Sequence, residues 1–295
     1  MQLQDRQFLM CFGCQRGGTT WLDDQLRNHP KFSFVPRKEL RYLDPIYVHK
    51  FETISVQRIR EFRRKMWDSY GEHPKVLPVR QTRELAWNAK YALVARDDYN
   101  DDWYRGLFDD IPADSVTGDF SPDYSLLPDE GVAHLARLVP NARLIFIMRD
   151  PVDRIISGAT YVLRHYKNIT PEEAQKMLAG FVNAPIQYQF SDYKTILTRF
   201  KAHFPEENIK ILFQDDVWER PLDVLRDVCD HVGVDFDAKL FEASLAKSVN
   251  RSPKVEVPEA VTNQVREMMQ PVLQWLGENV PSPTVEKWIE RHKIA

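Results

Sequence analysis

"CFGCQRGGTTWL" (residues 11–22) has glycines at 13 and 18 and threonines at 19 and 20, the spacing of the phosphate-binding pattern G-x-x-x-x-G-K-[ST]. The lysine of that pattern is missing, and Arg16 stands inside the loop instead. The preceding "QFLMCFG" (7–13) is a short apolar run ending in glycine, which predicts a buried strand. The following "TTWLDDQLRNHP" (19–30) puts Trp21, Leu22, Gln25 and Leu26 along a helix that stops before Pro30. A glycine-rich turn feeding a helix aims several backbone N–H groups at one spot, where the helix dipole adds partial positive charge; a phosphate is a natural guest. Gly17 and Gly18 allow close approach, and Thr19 and Thr20 add hydroxyl donors. The plainer reading is a strand-to-helix turn that needs glycine only for positive φ. In ATP and GTP enzymes the missing lysine reaches the β- and γ-phosphates while Ser/Thr holds Mg²⁺. Arg16 lies earlier, with a permanent charge and a planar fork of donors. It suits a tetrahedral group carried on a nucleotide 5′-phosphate, a sulfonate as well as a second phosphate.

Outward from the loop, "KFSFVP" (31–36) reads as a second strand. Residues 54–70 read as an amphipathic helix, with Ile59, Phe62, Met66 and Tyr70 at helical spacing and the arginines on a solvated face. Residues 71–99 have no clear period and read as loops and short helices. "NDDWYRGLFDDIP" (100–112) reads as a short helix with acidic residues at its start. "RLIFIMRDP" (143–151) is the strongest strand signal; Asp150 can cap, and Pro151 can take the first position of, a helix reaching about residue 166. Beyond it come a helix over 191–205, a strand over 208–216, a helix over 221–232 and tail helices near 258–278 and 284–292. Strands alternating with helices predict an α/β fold, a P-loop-like central parallel sheet flanked by helices on both faces, as one domain over 1–295.

The chain has 295 residues, 43% apolar and 28% charged, as expected of a globular enzyme. A net charge of −3 argues against a dedicated nucleic-acid binder, so any polyanionic ligand must meet a local basic cluster. Three cysteines imply no disulfide framework. Cys11 and Cys14 form a C-x-x-C, but Cys11 sits in the apolar run and reads as a small buried hydrophobe rather than a redox or zinc ligand. No signal-like N-terminus and no span of 18 apolar residues occur, so a cytoplasmic protein without a transmembrane segment is expected.

Three segments together, G-C-Q-R-G-G-T-T-W-L, K-E-L-R-Y-L (38–43) and R-D-P-V-D-R-I-I-S (149–157), resemble the sulfotransferases that use 3′-phosphoadenosine 5′-phosphosulfate (PAPS), closest in style to the glycan-modifying branch. "WYRGLF" (103–108), "TGDFSPDY" (117–124) and "FQDDVWERP" (213–221) agree, and the resemblance runs over roughly 7–235. It implies that Arg16, Gly17, Gly18, Thr19 and Thr20 hold the 5′-phosphosulfate, and that Arg149 and Ser157 hold the 3′-phosphate. The second pair also makes local sense: Arg149 is delivered at a strand end, and Ser157 lies about two turns inside the next helix. A merely structural reading would instead pair Arg149 with Asp150 or Asp153.

Sulfuryl transfer needs a base for the acceptor proton and positive charge for the leaving oxygen. The resemblance makes Glu39, among Arg37, Lys38 and Arg41, the general base and Arg16 the leaving-group cation. His134 and His165 are substitutes for the base. Asp123 and Tyr124 are expected to line the acceptor site. Trp21 is a candidate for the adenine, and Arg251, in "AKSVNRSPKVEV" (246–257), for closing over the 3′-phosphate. No metal is expected, and the acceptor is a small molecule, glycan or lipid. Two other readings stay open: a Mg²⁺-dependent nucleotide kinase, supported by Asp215–Asp216 after an apolar strand, and a nucleotide-binding module without turnover.

Overall fold

The computed structural model describes residues 3–70, 77–164, 166, 170–246 and 257–292. Four strands, β1 (Phe8–Gly13), β2 (Thr117–Phe120), β3 (Arg143–Met148) and β4 (Ile209–Phe213), form one parallel sheet in the order β2-β1-β3-β4. The chain winds outward from β1 to β2, then crosses back to place β3 on β1's other side. Such a reversal opens a crevice beyond the carboxyl ends of the two central strands, where ligands of α/β sheets bind.

Side-chain alternation along the strands makes two cores. Phe8, Met10 and Phe12 of β1 join Leu144, Phe146 and Met148 of β3 on one face. That face is covered by helices Asp129–Leu138, α3 (Pro151–Leu163), Tyr193–His203, α4 (Glu259–Asn279) and α5 (Pro283–His292), with α1 (Thr19–Leu26) and α2 (Phe51–Tyr70) preceding them in the chain. Leu9, Cys11, Ile145 and Ile147 face the other way, against α1 and helix Pro221–Val232. Each fully buried large apolar side chain contributes roughly 1.5–3 kcal/mol, so a central strand with both faces covered is anchored along its length. Cys11 and Cys14 belong to opposite cores, which rules the C-x-x-C out as a ligand pair; burial pushes the Cys11 thiol up to about 12. No helix of the described residues is long and apolar enough to cross a membrane.

Three expectations need correction. Residues 31–36 form no strand: a single bridge joins Phe32 to Val116. Two backbone bonds, Val116 N–H to the Lys31 carbonyl (2.8 Å) and Ser33 N–H to the Val116 carbonyl (2.9 Å), tie the segment to the sheet edge. Pro36 then supplies no N–H to continue a ladder. On α2 the buried positions are Ile54 and Arg58, at 3% and 1% exposure, while Ile59 and Met66 are 40% and 39% exposed. One arginine therefore points inward, because aromatic faces and carbonyls await it there. Within 71–99, where loops and short helices were expected, Val79–Ala92 is a single helix of 14 residues.

Candidate active site

The loop after β1 is fixed before it reaches any ligand. Cys14 N–H donates to the Ile147 carbonyl (2.7 Å) and Gly17 N–H to the Cys14 carbonyl (2.9 Å). A Cβ on Gly17 would lie 2.9 Å from both the Cys14 and Ile147 carbonyl oxygens, so only glycine fits. Gly18, at φ 101°, is the N-cap of α1 and has no side chain to cap with. The first-turn N–H groups therefore look out over the sheet's carboxyl edge. Arg16 also has a left-handed backbone, at φ 66°. A conformation of this kind costs a non-glycine residue about 1–3 kcal/mol and persists only where surrounding bonds enforce it. Here two neighbouring strand tips do so: Arg149 Nη1 (3.0 Å) and Gln214 Nε2 (2.8 Å) both donate to the Arg16 carbonyl.

That same geometry gathers positive charge. Arg16 Nε lies 3.4 Å from Ser157 Oγ, and its guanidinium stacks 4.6 Å from the centre of the Tyr161 ring. Partial burial, then the charges of Arg149 and Arg164, push the Arg16 pKa below its ordinary value, with Tyr161 opposing. Among the described residues, neither Arg16 nor Arg149 forms a salt bridge to a carboxylate. Arg149 Nε is buried and has no hydrogen-bond partner. The acids that might have neutralised Arg149 are engaged elsewhere. Asp150 Oδ1 caps α3 through Val152 N–H and Asp153 N–H, and Asp150 Oδ2 receives His292 (2.8 Å) and Arg291 (3.1 Å). Asp153 also pairs with Arg291 (3.0 Å). One guanidinium thus lies against Ser157 and the other against the Arg16 carbonyl, and among the described residues neither has a carboxylate counter-ion.

Glu39 lies in a segment, 37–43, with neither helix nor strand. Side chains hold its backbone. Leu40 N–H donates to Asp119 Oδ1 (3.3 Å), Arg41 N–H to Ser121 Oγ (3.2 Å) and Tyr42 N–H to the Tyr124 hydroxyl (2.9 Å). On the carbonyl side, Arg58 Nη2 donates to Leu40 and Arg41 (both 3.3 Å), and Tyr91 and Tyr99 hydroxyls donate to the same two carbonyls (2.9 and 3.1 Å). Arg58 sits over the rings of Tyr91 and Tyr99, 4.8 Å from each centroid, which offsets the cost of burying its charge. Leu40 is buried, and its neighbours Glu39 and Arg41 both have positive φ, 62° and 52°. Burial pushes the Asp119 carboxyl up to about 6, against hydrogen bonds from Ser121, Leu40, Tyr124 and Tyr104.

Lys38 Nζ links this segment to the loop. It donates to Thr20 Oγ1 and to Glu39 Oε1, 3.0 Å each. Arg41 Nη2 takes the other carboxylate oxygen, Oε2, at 2.9 Å. Thus the structure brings Glu39 to the Thr20 end of the loop and Arg16 to the Ser157 end. The resemblance gave Arg16 the leaving-group charge; its guanidinium lies at Ser157 and Tyr161, and the cation against Glu39 and Thr20 is Lys38.

The remaining candidates divide. Asp123 is buried beside the base segment, accepting from Gln15 Nε2 (2.7 Å) and paired with Arg41 (3.4 Å). Tyr124 is fully buried and donates to Asp119, so it braces the segment rather than lining a pocket. Trp21 packs in the core with Leu22 and Leu26, a packing role and not an open ring for adenine. Thr19 is buried and Thr20 exposed. His134 is tied between Asp101 (2.8 Å) and the Tyr47 hydroxyl (3.0 Å). Arg251 and His165 lie outside the described residues. Asp215 accepts from Trp288 Nε1 (3.1 Å) and Asp216 pairs with Arg220 (2.8 Å), so these acids brace helices and are not poised over the loop as metal ligands. Sequence reasoning gave no role to Lys38, Arg41, Arg58, Tyr161 or the Gln214 amide. For Lys38 and Arg41 the only signal was the charge density of "RKELR", which reads equally as a solvated run.

The sulfotransferase family model matches residues 9–238, from β1 past the helix after β4. The chain belongs to the sulfotransferase family. Among solved structures, this sulfotransferase is similar to one from Alicyclobacillus acidocaldarius, with a TM-score of 0.59 and 19% identity over 91% of this chain and 93% of that one. It is also similar to sulfotransferase STF9 from Mycobacterium avium, with a TM-score of 0.51 and 16% identity over 91% of this chain and 76% of that one. At these identities the two structures show the α/β fold alone. No curated protein matches the sequence.

Proposed function

We propose that this sulfotransferase moves a sulfuryl group from PAPS to a hydroxyl or amine acceptor by in-line displacement. The observation that carries the reading is the division of charge across one loop. At one end Arg16 meets Ser157 and Arg149 holds the Arg16 carbonyl, neither guanidinium with a carboxylate partner among the described residues. At the other, Lys38 joins Thr20 to Glu39. A carrier with an anion at each end of an adenosine matches such a pair of sites. The 3′-phosphate takes the arginine–serine end, and the 5′-phosphosulfate takes the loop N–H groups of Gly17, Gly18 and Thr19 and the Thr20 hydroxyl.

In this arrangement the acceptor oxygen or nitrogen attacks sulfur while Glu39 removes its proton. The sulfur–oxygen bond to the 5′-phosphate breaks, and the electron pair stays on the departing phosphate oxygen. Lys38 and the start of α1 stabilise that developing charge. Lys38 is a mobile point charge with three donors, so it can leave Glu39 for the phosphosulfate when the donor binds. The kinase reading loses its support, since Asp215 and Asp216 are engaged in structural bonds.

The test is transfer of radiolabelled sulfate from PAPS, without Mg²⁺, to a panel of glycans, lipids, phenols, alkyl alcohols and amines. The reading expects label on at least one class, transferred about 10²–10⁴-fold more slowly by Glu39→Gln. Nucleotide binding with no transfer to any acceptor would favour the module without turnover.

A further inference from the structure

We propose that Arg41 is a positioning residue for the Glu39 carboxylate, and that a proton on Asp44 keeps it in that role. This rests on the reading of Glu39 as base. Three acids share the one guanidinium. Arg41 Nη2 is 2.9 Å from Glu39 Oε2 and 3.4 Å from Asp123 Oδ2, and its Nε is 4.0 Å from Asp44 Oδ2. Asp123 is further held by Gln15 (2.7 Å) and His49 (3.6 Å), so a fixed, buried carboxylate anchors the same Nη2 that meets the more exposed Glu39.

Asp44 differs from the other two. It is fully buried, and neither carboxyl oxygen has a hydrogen-bond partner. A charged carboxylate in that position would be strongly disfavoured; a neutral carboxyl is tolerated. Burial, then the nearby Asp123 charge, push its pKa up to about 8, against Arg41 and His49, with Asp119 adding to the rise. Burial also favours neutral Asp123, but hydrogen bonding from His49 and the Arg41 charge outweigh it and hold that carboxyl below its ordinary value. Its bond to Asp123 pushes the His49 pKa up. At neutral pH a charged Arg41 therefore stands between a charged Asp123 and a neutral Asp44. When Asp44 loses its proton, an unpartnered buried charge appears beside Arg41 Nε. The guanidinium is its nearest compensating donor, and moving toward it loosens the bond to Glu39 Oε2. A base displaced by about 1 Å can lose about 10²-fold in rate.

The experiment is the pH dependence of kcat, with PAPS and the best acceptor of the panel, for wild type, Asp44→Asn, Arg41→Lys and Glu39→Gln. Wild type should fall through pH values near 8, and Asp44→Asn should hold its rate beyond that point. Arg41→Lys should lower kcat by about 10²-fold with the KM for PAPS unchanged. An alkaline fall that persists in Asp44→Asn, or full kcat in Arg41→Lys, overturns the proposal. Full turnover in Glu39→Gln instead removes the base assignment itself. If a variant fails to fold or no acceptor turns over, carboxyl-carbon and Arg Nε NMR titrations of wild type decide. Asp44 should titrate near pH 8, with the Arg41 Nε resonance moving in step. Titration of Asp44 in the ordinary carboxylate range, or an unmoved Arg41 signal, overturns it.

Discussion

Arg149 and Glu39 reach the same sheet edge by different constructions. Arg149 follows directly on β3, a strand in unbroken register with β4 and paired with β1 past one irregularity between Cys11 and Gly13, and the next residue caps α3. Strand, cap and helix are contiguous in sequence, so the position of the charge is locally determined. Glu39 follows a single bridge and an irregular segment, and residues between 17 and 82 positions away hold that segment's backbone. Binding charge can thus be placed by secondary structure alone. The reacting carboxylate is placed by a tertiary network whose cost includes two strained non-glycine residues, Glu39 and Arg41. The difference predicts that the two ends fail separately.

The largest effect is expected at the base. Glu39→Gln should reduce kcat by about 10²–10⁴ while leaving the affinity for 3′,5′-adenosine bisphosphate intact, as measured by calorimetry. Equal loss of both quantities would merge the two ends into one site. Next comes the anion end. Arg149→Ala removes a charged donor worth about 1.5–3 kcal/mol per bond, a weakening of roughly 10- to 100-fold in the bisphosphate Kd. Its kcat at saturating PAPS should change far less, and a collapse of kcat alone would contradict the division. The smallest effect is at Arg58, which touches neither end. Arg58→Met leaves the Leu40 and Arg41 carbonyls with fewer donors, at about 1–3 kcal/mol, so the melting temperature should fall. Turnover should fall with it while bisphosphate affinity holds; loss of binding before turnover would place Arg58 in the wrong half.

The same contrast explains what could be read from the residues in order. Strands ending at Gly13 and Met148, the cap at Asp150 and the loop glycines are local patterns, and the structure has them where periodicity and capping put them. Ser157 was singled out by the family resemblance, from its distance along the chain from Arg149. Lys38, Arg41 and Arg58 were not legible, because a charge run has the same pattern whether it meets water or a buried network. Arg58 looked like one more solvated arginine of α2; only the fold brings Tyr91, Tyr99 and the Leu40 carbonyl around it. The direction of the Arg16 guanidinium was not legible for a related reason. Its loop position is local, but its side chain follows Ser157 and Tyr161, which the crossing from β1 to β3 brings alongside.

The most direct measurement is the melting temperature with 3′,5′-adenosine bisphosphate in the absence of Mg²⁺, for wild type and for Arg149→Ala. At about 100 times its Kd the nucleotide should add about 2.7 kcal/mol to wild-type stability, and much less to the variant at the same concentration. An equal shift in both proteins, or protection by ATP–Mg²⁺ and not by the bisphosphate, would contradict a 3′-phosphate seat beside Ser157.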